Sequence, residues 1–84
     1  MAIRIFIYDD SGERRDSLKA LLSLNDEFQY VAEAPNCKNV LLEMQQYYPD
    51  VVLMDINMPE VDGIEGLKRI KTKHPEIKVL MQTA

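Results

Sequence analysis

Residues 50–63 read DVVLMDINMPEVDG, an apolar run followed by a segment rich in turn residues. Its first part, residues 51–56, is an apolar run of the length and composition of a strand buried on both faces, interrupted late by Asp55. The second part has the composition of a loop, because Pro59 lacks a backbone donor and Asp62 with Gly63 supplies a helix cap and a flexible joint. We therefore predict a buried strand, a loop and a following helix.

Outward from this stretch, the spacing of apolar residues alternates between the period of a strand and that of a helix. Strands are predicted at residues 3–8, 28–34, 51–56 and 77–82. Helices are predicted between them, over residues 11–24, from Asn36 to Pro49, and from Asp62 to about His74. In the first helix we expect Asp10 and Glu13 to form a capping box. Because parallel strands need long connections, the β-α-β-α-β-α-β order predicts an α/β fold with a parallel sheet.

Length and composition narrow the class of protein. The 84 residues allow one small domain, and 46% hydrophobic with 29% charged residues is typical of a globular one. The net charge of −4 disfavours direct binding of nucleic acid, which requires positive charge. Cys37 is the only cysteine, so the chain cannot form an internal disulfide, which fits a reducing compartment. The apolar runs are too short for a signal peptide or a membrane span. We therefore expect a cytoplasmic domain without membrane contact.

Polar side chains follow three of the predicted strands. Asp9 and Asp10 come after the first strand, Asp55 ends the third, and Thr83 follows the fourth. The carboxyl ends of parallel strands meet at one edge of a sheet, so these residues are expected to lie together. Two carboxylates about 4 Å apart repel by roughly 4 kcal/mol at an effective dielectric of 20, so three of them must take up protons or bind a cation. Such an all-oxygen site suits Mg²⁺.

Three motifs in this order carry a resemblance to a known family: IFIYDD at residues 5–10, DVVLMDINMP with the following DG at residues 50–63, and TA at residues 83–84. Together they resemble the receiver domain of bacterial two-component response regulators, and the resemblance covers the whole chain. It implies a flavodoxin-like, doubly wound parallel sheet, with the first four strands in the order 2-1-3-4.

The resemblance also implies a role for each residue at the edge of the sheet. Asp55 is expected to accept a phosphoryl group from a sensor histidine kinase or a phosphotransfer protein. Mg²⁺ is expected to bind Asp10, Asp55 and the backbone carbonyl of Asn57, with Asp9 holding a coordinated water. Thr83 is expected to contact the phosphoryl group and to act as the switch. The domain would be a signalling phosphoacceptor and no enzyme with a separate substrate.

The sequence also departs from the family. Receivers continue after the fourth strand with a helix, a strand that precedes a lysine, and another helix, so we expect residues 1–84 to be a receiver domain without these elements and impaired in phosphorylation. The fourth strand would then be an open apolar edge, and we expect self-association through it. Two alternatives stay open: an interaction or dimerisation module that is not phosphorylated, and a metal-dependent phosphohydrolase. Residues 13–16 are interpreted as a solvated first turn of the helix.

Overall fold

The computed structural model of the chain describes residues 2–82, so the predicted role of Thr83 lies outside the described residues. Strands and helices alternate along the described chain. In chain order they are β1 (Ile3–Tyr8), α1 (Gly12–Leu22), β2 (Phe28–Ala34), α2 (Val40–Tyr47), β3 (Val51–Asp55), α3 (Gly63–Lys73) and β4 (Lys78–Gln82). All seven elements were predicted, with bounds that differ by a few residues at most at either end.

The four strands form one parallel sheet in the order β2-β1-β3-β4. This order confirms the predicted flavodoxin-like α/β fold. β1 is paired on both sides, so that Ile7 lies opposite Glu33 of β2 and Leu53 of β3. Because all strands run in the same direction, their carboxyl ends lie at one edge of the sheet, and Tyr8, opposite Met54, brings the end of β1 beside the end of β3.

The core explains why β1 is apolar at every position near its end. Residues 5–8 are all buried, so this strand is covered on both faces, as expected in a parallel sheet. Phe6 and Tyr8 belong to the main apolar cluster together with Val52 and Met54 of β3, Val40 and Met44 of α2, and Ile70 of α3. The tight packing fixes the two strands that carry the acidic residues.

Two helix starts differ from the prediction. The N-cap of α1 is Ser11, whose hydroxyl accepts the Arg14 N–H at 3.2 Å, so the predicted capping box of Asp10 and Glu13 is wrong. The Asp10 carboxylate binds the Arg14 side chain instead. The N-cap position of α2 is Asn39. Asn36 had been predicted there, but its side chain accepts the N–H of Lys38 and forms a turn before the helix.

The ends of the sheet and α1 are more exposed than the apolar pattern suggested. Every residue of α1 is at least partly accessible, and the apolar side chain of Leu21 is 62% exposed. Leu80 of β4 is 57% exposed. The longest helices have 11 residues, and within residues 2–82 none is long and apolar enough to cross a membrane.

A buried glycine allows α3 to begin directly against the end of β3. The Gly63 N–H donates to the carbonyl oxygen of Ile56 at 3.0 Å, and a Cβ at Gly63 would lie 2.1 Å from the carbonyl oxygen of Asp55. That oxygen belongs to the backbone and cannot move aside without moving the strand end. Gly63 is therefore required by close approach, and the approach holds the strand end that carries Asp55.

A charged cluster attaches α1 to β2. The Glu33 carboxylate accepts hydrogen bonds from Arg15 Nε, from Lys19 Nζ at 2.9 Å and from the Tyr30 hydroxyl at 2.9 Å. Burial by itself raises the pKa of Glu33, but the hydrogen bonds from these three partners outweigh it and lower the pKa to about 2. Because α1 has few apolar contacts, this cluster is a principal link between the helix and the sheet.

We predict that Gly63→Ala lowers the free energy of unfolding by about 2 to 3 kcal/mol, the usual scale for atoms forced into a packed site. Gly12→Ala is the matched control, since its new Cβ would come no closer than 3.6 Å to Arg15 Nη2. Alanine is also the better helix former, so this control is expected to be neutral or slightly stabilising. Urea unfolding followed by circular dichroism measures both. Equal losses in the two variants would contradict the close-approach argument.

We predict that Glu33 stabilises the fold in a pH-dependent way. Its folded pKa of about 2 lies below the ordinary value of 4.5, so its contribution is complete above about pH 4.5 and disappears as the pH falls towards 2. At neutral pH, Glu33→Gln should cost about 2 kcal/mol, the scale of lost hydrogen bonds to a charged group. The difference in the free energy of unfolding between variant and parent, measured with denaturant, should decrease as the pH is lowered from 4.5 to 2. Glu27→Gln, an exposed control, should show no such trend.

Candidate functional site

Three carboxylates meet at the carboxyl edge of the sheet. Asp9 and Asp10 follow β1, and Asp55 is the last residue of the neighbouring strand β3. One carboxylate oxygen from each of the three residues lies within 4.8 Å of the others. The structure therefore confirms that these three residues come together, as the strand pattern predicted.

The three acids differ in exposure. The side chains of Asp9 and Asp55 are each 2% exposed, whereas that of Asp10 is 40% exposed. The Asp9 Oδ1 accepts the Ser11 N–H at 2.9 Å, and the Asp55 Oδ1 accepts the Asn57 N–H at 3.2 Å. Two of the acids are thus fixed by backbone donors in a buried position, and the cluster opens to solvent on the side of Asp10.

One arginine contacts all three carboxylates. Arg14 Nε donates to both oxygens of Asp9, at 3.1 and 3.0 Å. Arg14 Nη2 lies 3.2 Å from Asp10 Oδ1 and 3.2 Å from Asp55 Oδ2. Burial raises the pKa of Asp9, but the hydrogen bonds from Arg14 and Ser11 outweigh that effect, and the pKa lies below its ordinary value. The guanidinium is therefore a counter-charge at the centre of the cluster.

The interpretation of residues 13–16 as a solvated turn is wrong for Arg14 and Arg15. Besides the contacts of Arg14, Arg15 Nη1 donates to the carbonyl oxygen of Asp9 at 2.6 Å. A sequence signal was available, because Arg14 follows Asp10 by four residues and side chains so spaced meet on a helix. The prediction failed because helical periodicity identifies which residues are neighbours on α1. It does not show whether the first turn of the helix faces solvent or the acidic residues.

The loop after β3 places Asn57 beside Asp55. Asn57 itself is exposed, and the next residue, Met58, is buried in the main apolar cluster. Glu60 adopts a left-handed conformation with φ of 67°, and Asp62 caps α3 by accepting the Glu65 N–H at 2.9 Å, as predicted. The loop is therefore anchored at both ends, by the Asn57 N–H on Asp55 and by the Asp62 cap of α3.

The donor set fits a hard divalent cation. Its ligand atoms are carboxylate oxygens, the type that Mg²⁺ prefers, and two of the three acids are already held in place by the fold. The Asp10 side chain is 40% exposed, so the cluster meets solvent on that side, and Mg²⁺ usually retains several waters. A cation bound there would lie beside the buried carboxylate of Asp55. Its positive charge would reduce the repulsion between this carboxylate and an anionic phosphoryl group, so the arrangement suits attack on such a group.

Known proteins that resemble the chain share one type of domain. The family model described as response regulator receiver domain matches residues 5–84. The chemotaxis protein CheY of Bacillus subtilis is 42% identical over 84 residues, covering 100% of this chain and 69% of CheY. The transcriptional regulatory protein DegU of Brevibacillus brevis is 39% identical over 79 residues, covering 94% of this chain and 34% of DegU. The chain thus spans about a third of that regulator.

Solved structures agree with the sequence relatives. The response regulator domain of Thermotoga maritima CheB superposes with a TM-score of 0.92 at 34% identity, covering 99% of this chain and 61% of that one. A DNA-binding response regulator of the LuxR family from Staphylococcus aureus gives a TM-score of 0.86 at 32% identity, covering 96% of this chain and 68% of that one. Sequence and fold therefore point to the same type of domain.

Proposed function

Because the chain belongs to the response regulator receiver domain family, we propose that it accepts a phosphoryl group on Asp55 and passes the signal to an output in two-component signal transduction. The donor would be a sensor histidine kinase or a phosphotransfer protein. The observation that carries this proposal is the position of Asp55, whose buried carboxylate ends β3 next to Asp9 and Asp10.

The chemistry proposed for Asp55 is a transfer between two nucleophiles. One Asp55 carboxylate oxygen attacks the phosphorus of a phosphohistidine, the P–N bond breaks, and the imidazole leaves with its electron pair. The product is an aspartyl phosphate. The Asn57 N–H on Oδ1 orients the carboxylate, and the opening beside Asp10 gives the donor access. Hydrolysis of the acyl phosphate would return Asp55 to its starting state.

A magnesium ion would be held by Asp9, Asp10, Asp55 and the backbone carbonyl of Asn57, with Asp9 acting through a water. When bound, it would neutralise charge between the carboxylates and the incoming phosphoryl group. Thr83, outside the described residues, is proposed to contact the phosphoryl group and to report its presence.

The domain is further proposed to act in the cytoplasm as a signalling module and not as an enzyme on a separate substrate. The buried, unpaired thiol of Cys37 supports a reducing compartment. The net charge of −4 supports partners other than nucleic acid for this segment, because binding to phosphate backbones depends on positive charge.

A second candidate function is association through β4. Within residues 2–82, β4 pairs with β3 on one side and leaves its other side open, and Leu80 on this strand is 57% exposed. Such an edge can pair with another strand. We propose a second copy of this chain as the occupant, which would make the domain an interaction module even without phosphorylation.

We predict that incubation with acetyl phosphate and Mg²⁺ adds one phosphoryl mass to the chain, and that Asp55→Asn abolishes the adduct because it removes the nucleophile. Intact-mass spectrometry measures the adduct. Asp16→Asn is the matched control, since the same change is made on a side chain that is 78% exposed on α1. This control should be phosphorylated normally. An adduct that persists in Asp55→Asn, or none in the parent, would refute the proposal.

We predict that the chain self-associates at micromolar concentration and that Leu80→Lys returns it to a monomer, because a lysine on an edge strand opposes pairing. Sedimentation velocity over a concentration series gives the oligomeric state. Leu24→Lys is the control, because Leu24 is 81% exposed and lies outside β4. A monomeric parent would contradict the second candidate function, whereas Asp55→Asn should leave association unchanged.

A further inference from the structure

Arg14 supplies a positive charge at the place where a metal ion would be needed. We propose that Arg14 is a built-in competitor of the divalent cation: its guanidinium neutralises the acidic cluster and must leave Asp10 and Asp55 before a divalent cation can bind them. The inference rests on the proposed function, because it concerns the same three carboxylates. It adds a residue that sets how much Mg²⁺ the site requires.

The contacts of Arg14 fall into two groups. Nε holds both oxygens of the buried Asp9. Nη2 lies between Asp10 Oδ1 and Asp55 Oδ2, at 3.2 Å from each. A cation that contacts these two oxygens would need the space of Nη2 and would meet its positive charge. The second group of contacts is therefore incompatible with a bound divalent cation. Because Nε and Nη2 belong to one rigid, planar guanidinium, the bonds from Nε to Asp9 also change when Nη2 moves away.

The charges of the cluster explain why the Arg14 guanidinium and a divalent cation can replace each other. Three ionised carboxylates and one guanidinium leave the cluster with two negative charges, which favours replacement of Arg14 by a divalent cation. Each guanidinium contact stabilises the metal-free cluster. The net free energy of cation binding is therefore reduced by the free energy of the guanidinium contacts that are lost. Arg14 therefore lowers the apparent affinity of the metal without preventing binding.

The surroundings of Arg14 allow it to move. Its side chain is 45% exposed, so the guanidinium can exchange the carboxylates for water without entering the core. Release of the side chain leaves the start of α1 intact, because the Arg14 N–H is held by the Ser11 hydroxyl and the Arg15 N–H donates to the Ser11 carbonyl at 3.0 Å. The moving part is thus a single side chain on a helix with its own cap.

The decisive measurement is the dissociation constant of Mg²⁺, determined by isothermal titration calorimetry at constant ionic strength for the parent and for Arg14→Met. We expect the variant to bind Mg²⁺ about tenfold more tightly, a change of about 1.4 kcal/mol. Lys19→Met is the matched control, because it removes the same charge from α1 where Lys19 contacts Glu33 and Asp16. This control should change the constant by less than about twofold.

A second measurement uses the unmodified protein. In ¹H–¹⁵N spectra, the Arg14 Nε–H signal should shift during a Mg²⁺ titration with the same midpoint as the backbone amide of Asp10. The Nε–H of Arg15, which donates to Glu33, is an internal reference and should shift much less. An Arg14 signal that stays unchanged while the Asp10 amide saturates would overturn the inference, whether or not the variant folds.

The outcomes separate this inference from the proposed function. Equal dissociation constants for the parent and Arg14→Met, or equal changes in Arg14→Met and Lys19→Met, would overturn the competition and leave phosphorylation of Asp55 standing. Absence of Mg²⁺ binding in all three chains would overturn both. Tighter binding in Arg14→Met alone, together with the shift of the Arg14 signal, would establish the competition even if Asp55 proved not to be the phosphoacceptor.

Discussion

The repulsion among three carboxylates at the ends of β1 and β3 governs the charges that the neighbouring elements supply. Two neighbouring parallel strands hold Asp9 and Asp55 at 2% side-chain exposure, so these charges cannot separate or rely on solvent. At such distances their mutual repulsion amounts to several kcal/mol even at an effective dielectric of about 20. The fold therefore requires a positive charge at one defined place.

Helix α1 supplies positive charge to the acidic cluster. Arg14 contacts the carboxylates, and Arg15 contacts the carbonyl oxygen of Asp9 and the carboxylate of Glu33. Two consecutive residues thus join the site to β2, although α1 has no fully buried residue of its own. The position of this helix therefore depends largely on its charged contacts. Helices α2 and α3 are attached differently, through apolar contacts that include Met44 and Ile70.

Much of the fold followed from apolar runs and turn residues. β1 was predicted with its observed bounds because residues 5–8 are covered on both faces and are all apolar. The loop before α3 was predicted from its turn chemistry. Helix starts were less predictable. Asp10 and Asn36 are good caps by residue type, but a side chain that can cap can also bind a cation or form a turn, and local sequence does not decide between these uses.

From the sequence alone, the three acids could be placed at one edge of the sheet, because the carboxyl ends of parallel strands share an edge. The order that makes β1 and β3 neighbours followed from the resemblance to receiver domains. The sequence also determined the family, through the motifs around Asp10 and Asp55. Only the tertiary structure decided that Arg14 points into the acidic cluster, since that orientation depends on how α1 lies on β2. Likewise, the exposure of Leu21 and the close approach of Gly63 to the carbonyl oxygen of Asp55 depend on how the elements pack against one another, which no local pattern records.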